Sequence, residues 1–266
     1  MGDYVHGYSD YEEARLRDQA DSLAVVLHEG TCYPPGANVL EAGCGVGAQT
    51  VHLAANSPGA CFTSIDLAAD SLKVAMRAVA ERGFANVRFR QADLYDLPFP
   101  ESSFDHAFVC FVLEHVPDPI RALACVRSVV RPGGTITAIE GDHGSAFFHP
   151  QSDAAWRTIR CLVDLQAASG GNALIGRSLY PLLRDAGFRD VEVVPRTIYA
   201  DAGRPEWVDG FTRKTFIAMV EGVEEPAIAR GLIERAEWDR GIAELKRTAG
   251  ESGTFVYTFF KGVGRR

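Results

Sequence analysis

The sequence predicts an α/β protein built on a doubly wound, mostly parallel sheet, and two observations lead to that fold class. The first is the alternation of short apolar runs with stretches of helical periodicity through residues 38–140. Five strands separated by helices require parallel crossover connections, which are typical of doubly wound sheets. The second is an ordinary globular composition, with 47% apolar and 23% charged residues in a chain of 266. A chain of this length buries a sizeable core without metals or disulfides.

The elements of the first half follow from the apolar runs and from the residues that punctuate them. Ser9 and Glu12 match a capping box and begin a helix that Gly30 ends. The predicted strands that follow are NVLEAG, CFTSIDL, VRFRQAD, FDHAFVCF and TITAIE. The helices predicted between them are Val46–Asn56, 68–82 and Pro119–Arg131.

The alternation becomes less regular after residue 140. RSLYPLLRDAGF is a predicted helix, and DVEVVPRTIYA and TFVYTFFKGV are predicted strands that could pair antiparallel at the sheet edge. Residues 141–175 and 201–250 are predicted to be helical insertions that form a cap over the carboxyl end of the sheet, where α/β proteins bind ligands. The predicted organisation is therefore an N-terminal helical lid over 1–30, a core of 31–200 and 251–266, and a cap.

Charge and composition narrow the classes of partner. The net charge is −8 with no run of Lys or Arg, which argues against nucleic acid and against an anionic membrane surface. The six cysteines include no C-x-x-C pair, so no zinc site is predicted and a reducing compartment is expected. The polar, acidic N-terminus does not resemble a signal peptide, and no apolar run approaches the ~18 residues of a membrane span. We therefore expect a cytoplasmic protein.

The glycine-rich turn of residues 43–48 leaves two nucleotides open. Its sequence, GCGVGA, satisfies the G-x-G-x-x-G/A fingerprint of dinucleotide sites and would equally serve S-adenosylmethionine (SAM). Glu41, at the end of the preceding strand, favours SAM, because a carboxylate repels a pyrophosphate and suits a sulfonium with an ammonium group. Asp66, at the end of the second strand, can bind ribose hydroxyls in either ligand. Asp93, after the third strand, can accept a hydrogen bond from the adenine amine. Together with Glu41 it favours SAM over a dinucleotide.

Five motifs follow one another along the chain: VLEAGCGVGAQT, SIDL, QADLYDLPFPESSFD, FVLEHVPDP and VVRPGGTITAIE. In this order they resemble the motifs of the class I SAM-dependent methyltransferases, and the branch they resemble most is the ubiquinone/menaquinone-biosynthesis type of methyltransferase domain. The resemblance covers residues 36–141, and LLRDAGFRDVEVV extends it to about 195. It implies a Rossmann-like sheet of seven strands whose last strand is antiparallel.

The resemblance also implies which residues bind SAM. Glu41 would lie beneath the ligand, Asp66 would hold the ribose, and Leu67 would pack on the adenine. The other implied contacts are Gly43, Gly45 and Gly47 at the methionine and ribose, Asp93 and the Leu94 backbone at the adenine edge, and Cys110 and Phe111 at the methionine end.

Catalytic residues are harder to predict, because methyl transfer requires approach geometry and a dry site more than a fixed set of side chains. Polar candidates cluster after the fifth strand, where Glu140, Asp142, His143 and His149 lie. His143 is the predicted base, with Asp142 as its acidic neighbour. Tyr8 is a further candidate, since the tyrosine-rich N-terminus could fold over the ligand as a lid. No metal site is predicted.

The functional interpretation is a methyltransferase that transfers a methyl group from SAM to a small molecule by in-line displacement and releases S-adenosylhomocysteine (SAH). Aromatic residues in the insertions suggest an apolar or aromatic acceptor. A homodimer is the expected assembly. Two alternatives stay open: an NAD-dependent oxidoreductase, and a SAM-binding protein without turnover. The sequence does not indicate whether oxygen, nitrogen or carbon is methylated.

Overall fold

The computed structural model describes residues 23–266, which divide into two compact units. Unit 1 contains residues 23–26, 141–174 and 196–259, and unit 2 contains residues 27–140, 175–195 and 260–266. Tyr8 and the predicted lid as far as residue 22 lie outside the described residues.

The described residues include eight strands: β1 (Asn38–Ala42), β2 (Cys61–Asp66), β3 (Val87–Gln91), β4 (Phe104–Cys110), β5 (Val130–Gly141), β6 (Phe147–His149), β7 (Arg189–Ala200) and β8 (Thr254–Arg265). They form one sheet in the order β3-β2-β1-β4-β5-β8-β6, with β7 also paired to β8. All neighbouring pairs from β3 to β5 are parallel, which confirms the predicted doubly wound arrangement.

The helices confirm the predicted alternation, and one begins later than expected. Residues 23–27 are helical (α1). The others are α2 (Thr50–Asn56), α3 (Ala69–Glu81), α4 (Pro119–Val129), α5 (Asp153–Ala168), α6 (Leu179–Asp185), α7 (Pro205–Trp207), α8 (Ala218–Glu221), α9 (Glu224–Ala229) and α10 (Arg235–Arg247). The sequence predicted that α2 would begin at Val46. Gly45 and Gly47 have φ values of 52° and 79°, which a right-handed helix cannot contain, so the helix starts only beyond them.

The core of unit 2 explains why its central strands are almost continuously apolar. Helices cover β1, β4 and β5, and a parallel sheet of this kind is buried on both faces. The buried residues that pack together include Leu40, Ala107, Val109, Ile136, Leu123, Val126, Leu179 and Leu183. At the start of α4 the Asp118 side chain accepts a hydrogen bond from the Arg121 N–H, and Pro119 occupies the first turn. This core holds the carboxyl ends of the strands in fixed positions.

Unit 1 contains helices and one strand that the sequence analysis missed. No strand was predicted within residues 141–175, but Phe147–His149 form β6, which pairs antiparallel with β8. Phe148 stacks on Phe255 with a 6.0 Å separation of ring centroids, and this non-local contact stabilises a strand too short to be recognised in sequence. The sheet therefore has eight strands, where the resemblance implied seven.

A π-helix and β8 supply an aromatic cluster in unit 1. The π-helix, Val208–Ile217, lies between α7 and α8. The aromatic cluster consists of Phe211, Phe216, Phe255, Tyr257 and Phe259, which are all buried and whose neighbouring rings lie 4.8–6.3 Å apart. No helix within residues 23–266 combines the length and the apolar composition that crossing a membrane requires.

Candidate active site

The glycine-rich loop after β1 is fixed by backbone hydrogen bonds and close packing. The N–H groups of Gly43 and Cys44 both donate to the Ile65 carbonyl, at 2.8 and 2.9 Å, which ties the loop to the end of β2. Gly43 has a φ of 77°, and a Cβ atom there would lie 2.4 Å from Val112 Cγ2. A side chain at this position would therefore clash with Val112, and the packing against Val112 alone requires a glycine at position 43.

Gly45 and Gly47 differ in what surrounds them. A Cβ atom at Gly47 would lie 2.9 Å from Ala75 of α3, so this glycine also permits close packing. Among residues 23–266, a Cβ atom at Gly45 would meet nothing within 4 Å. Of the three glycines that the resemblance assigns to the ligand, Gly45 is the one that borders open space, and it is the position where a ligand can approach the backbone.

Glu41 is a buried carboxyl at the end of β1. Only 2% of its surface is exposed, and its Oε2 accepts hydrogen bonds from the hydroxyls of Thr50 and Ser64, at 2.7 and 2.6 Å. Burial raises the pKa of Glu41 to about 7; the two hydroxyls oppose this rise and the charge of Asp66 contributes to it. A cation bound nearby would favour the ionised form. The sequence analysis identified Glu41 but missed Thr50 and Ser64.

Asp66 links the end of β2 to the loop and to the next helix. Its Oδ2 accepts the Gly45 N–H at 2.8 Å, and its Oδ1 accepts the Ala68 N–H at 2.9 Å. These two bonds fix the carboxylate next to the open side of the loop. The adjacent Leu67 is 44% exposed, which leaves an apolar side chain accessible beside the carboxylate.

The turn after β3 holds Asp93 and Leu94. Asp93 is exposed, and its Oδ1 accepts the Tyr95 N–H at 2.8 Å, as in an Asx turn. Leu94 packs partly buried against the core of unit 2. Its side chain is therefore used for packing, and only its backbone can serve the predicted contact to adenine.

The end of β4 brings Cys110 and Phe111 beside β5. The Phe111 N–H donates to the Ile139 carbonyl at 2.9 Å, and Phe111 has a φ of 56°, which is uncommon for a bulky residue and often marks a functional position. Cys110 is buried, and burial together with the nearby Glu140 raises the pKa of its thiol well above the usual value. Cys110 therefore lines this region as a neutral thiol.

Glu140, near the end of β5, is fully buried. Its Oε1 accepts the N–H groups of Val112 and Leu113, at 3.0 and 2.8 Å, where a short 3-10 helix begins. Burial, and secondarily the charge of Glu114, raise the pKa of Glu140 well above its usual value. The sequence analysis grouped Glu140 with Asp142 and His143, whereas the structure assigns it to unit 2 and the other two to unit 1.

The predicted base, His143, is buried in unit 1. Its Nδ1 is hydrogen-bonded to Tyr257 Oη at 2.7 Å, and its ring lies edge-on to Phe216. The Asp142 carboxylate accepts the Gly144 N–H at 3.0 Å and so caps the turn that contains His143. Sequence reasoning missed Tyr257, whose only signal was its place in an aromatic strand. Catalytic roles for His143 and Asp142 stay predictions, as does that of Tyr8.

Across residues 23–266, no three His, Cys, Asp or Glu side chains are grouped so as to hold a metal ion. The predicted ligand contacts that the structure describes near the loop all belong to unit 2: Glu41, Gly43, Gly45, Gly47, Asp66, Leu67, Asp93, Leu94, Cys110 and Phe111.

Comparison with known proteins identifies the family. Residues 40–138 match the methyltransferase domain. A demethylmenaquinone methyltransferase of Geobacillus stearothermophilus is 31% identical over 175 residues, which cover 61% of this chain and 75% of that protein. The chain belongs to the class I SAM-dependent methyltransferases. Its cofactor is SAM, and the backbone at Gly45, beside the Asp66 carboxylate, is accessible to such a ligand.

Other relatives of this methyltransferase are similar in sequence or in fold alone. An uncharacterized 37.1 kDa protein in transposon Tn4556 of Streptomyces fradiae is 34% identical over 221 residues, 82% of this chain and 62% of that protein. The chain thus spans less than two thirds of the length of that relative. The YcgJ protein of Bacillus subtilis has the same fold, with a TM-score of 0.58, 15% identity, and coverage of 92% of this chain and 98% of that one.

Proposed function

We propose that this methyltransferase transfers a methyl group from SAM to a small-molecule acceptor by in-line displacement. The observation that carries the proposal is the buried Glu41 carboxyl at the end of β1, with a pKa of about 7, next to a loop that is open at Gly45. SAM supplies an electrophilic methyl group. The chain contributes binding, orientation and a site from which water is excluded.

The proposed binding roles follow the strand ends of unit 2. Glu41 attracts the positive charge of SAM, Asp66 accepts hydrogen bonds from the ribose hydroxyls, and Leu67 packs on the adenine. The remaining roles are the loop glycines Gly43, Gly45 and Gly47 at the methionine and ribose, Asp93 and the Leu94 backbone at the adenine edge, and Cys110 and Phe111 at the methionine end.

On the acceptor side, the proposal is a small apolar or aromatic molecule. A net charge of −8 is unfavourable for nucleic acid, and the insertions over 141–175 and 201–250 contain the aromatic residues expected of an acceptor pocket. We propose that His143, with Asp142 and Tyr8, manages the proton of the acceptor. A homodimer and a cytoplasmic location stay predictions.

The test is to incubate the purified full chain and SAM carrying a labelled methyl group with one of three acceptor mixtures: a small-molecule extract, total RNA or a protein mixture. We expect a labelled product, separated from the remaining SAM, only with the small-molecule extract, together with an equal amount of SAH. Label in RNA or protein would contradict the acceptor class. SAH binding without label transfer to any fraction would indicate a SAM-binding protein without turnover.

A further inference from the structure

The Glu140 carboxyl group has one satisfied and one unsatisfied oxygen. Oε1 accepts two backbone N–H groups at the start of the short 3-10 helix. Oε2 is equally buried, and within residues 23–266 it has no hydrogen-bond partner. A buried carboxyl oxygen without a hydrogen-bond partner is strongly unfavourable. Its retention indicates a partner outside residues 23–266, which a bound ligand can supply.

The surroundings of Glu140 are acidic. Glu114 raises the pKa of Glu140, and Glu140, Glu41 and Glu114 all raise the pKa of the Cys110 thiol. Lys261 acts on the Cys110 thiol in the opposite sense, and its ammonium donates hydrogen bonds to the Glu29 carbonyl and to the Thr31 hydroxyl. Glu114 acts on Glu140, and both act with Glu41 on the Cys110 thiol, so this region favours a positively charged ligand over a neutral or anionic one.

The position of Glu140 in the sheet is that of a ligand-binding residue. It is the residue after Ile139, which pairs with Cys110 at the end of β4. Ligands of open α/β sheets bind at the carboxyl ends of the strands. Glu140 therefore shares this edge of unit 2 with Glu41 and Asp66, yet the proposed SAM contacts do not include it.

We propose that Glu140 Oε2 binds the methyl acceptor through a hydrogen bond from an amine nitrogen, so that the acceptor is an amine. This inference rests on the proposed function and adds the substrate class. An alcohol could also donate to Oε2, but it brings no positive charge to an acidic site. A phenolate or carboxylate acceptor would be repelled.

The test compares amines with alcohols of the same shape, bound to the full chain saturated with SAH. The probes are n-butylamine and 1-butanol, benzylamine and benzyl alcohol, and phenethylamine and 2-phenylethanol, each titrated calorimetrically. We expect at least one amine to bind about tenfold or more tightly than its alcohol. In Glu140→Gln, which keeps an acceptor oxygen for the Val112 and Leu113 N–H groups, this preference should disappear.

Asp105→Asn is the matched control. Asp105 lies at the opposite end of β4, where it pairs with Arg131, so this change removes a carboxylate of unit 2 far along the strand from Glu140. It should leave the amine preference intact. The wild-type measurement keeps the inference falsifiable even if Glu140→Gln does not fold.

The outcomes separate this inference from the proposed function. If the wild type shows no preference for amines, or if Glu140→Gln retains the preference, the inference is wrong while SAH binding still supports the family function. If Glu140→Gln folds but loses SAH affinity, Glu140 serves the cofactor and the inference is also wrong. If the wild type does not bind SAH, the proposed function itself fails, and the inference fails with it.

Discussion

The strand ends of unit 2 and the aromatic cluster of unit 1 differ in the kind of side chain that they bury. At the strand ends, the buried groups are the carboxyls of Glu41 and Glu140. Their raised pKa values show that the fold holds them where a negative charge is unfavourable. In the aromatic cluster, burial falls on rings such as Phe216, which gain free energy from it. The first arrangement suits ligand binding and the second suits stability, since functional sites commonly retain unfavourable groups.

The largest effect should come from removing a ring of the aromatic cluster. Phe216→Ala should destabilise the protein by about 3–5 kcal/mol, because it removes a fully buried side chain and leaves a cavity. Urea unfolding followed by tryptophan fluorescence is the measurement, since all three tryptophans, Trp156, Trp207 and Trp238, lie in unit 1. Phe147→Ala is the control, because Phe147 is 61% exposed. Equal effects of the two changes would contradict the account of this cluster.

Glu41→Gln should weaken SAM binding while it stabilises the fold above pH 7. Because the pKa of Glu41 rises from 4.5 to about 7 on folding, its ionisation costs stability as the pH rises through that window. Above pH 7 the variant should therefore be more stable than the wild type, by up to about 3 kcal/mol. Its affinity for SAM should fall about 10- to 100-fold, because the attraction of a charged partner is lost.

Calorimetric titration with SAM and urea unfolding followed by circular dichroism at pH 5 and pH 8 measure the two effects of Glu41→Gln. Glu101→Gln, at an exposed carboxylate of the same unit, is the control and should change neither. If the variant binds SAM normally and is less stable than the wild type at pH 8, Glu41 serves the stability of the fold and does not bind SAM.

Asp66→Ala should weaken SAM binding by about 1.5–3 kcal/mol, the scale of a lost charge-assisted hydrogen bond. The carboxylate also accepts the Gly45 and Ala68 N–H groups, so Asp66→Asn is the companion variant, because its amide oxygen can still accept one of them. Both affinities are measured by calorimetry. Unchanged affinity in folded Asp66→Ala would show that this residue does not hold the ribose.

The smallest effect should come from the hydrogen bond between Tyr257 of the aromatic cluster and His143. Tyr257→Phe removes the hydroxyl that is bonded to His143 Nδ1 and should cost about 0.5–1.5 kcal/mol of stability, with SAM affinity unchanged. Tyr199→Phe, at a tyrosine that is 49% exposed in the same unit, should have almost no effect. A large loss of SAM affinity in Tyr257→Phe would contradict the assignment of the cofactor contacts to unit 2.

The sequence predicted the first five strands and the binding loop because each is encoded locally. The strands are short apolar or alternating runs bounded by turn residues, and the loop is a short motif whose glycines have positive φ values. What it did not predict depends on contacts between distant residues. Thr50 and Ser64 reach Glu41 only after the sheet forms, and Tyr257 reaches His143 across more than a hundred positions. The strand β6 exists only by pairing with β8.

The most direct test of the central claim, that the strand ends of unit 2 form a SAM site, is a calorimetric titration of the purified full chain with SAH and, in parallel, with NAD. The account predicts that SAH binds with an affinity in the micromolar range, about −8 kcal/mol, and that NAD does not bind. Binding of NAD without binding of SAH would contradict the account, because the carboxyl group of Glu41 would then lie beside a pyrophosphate.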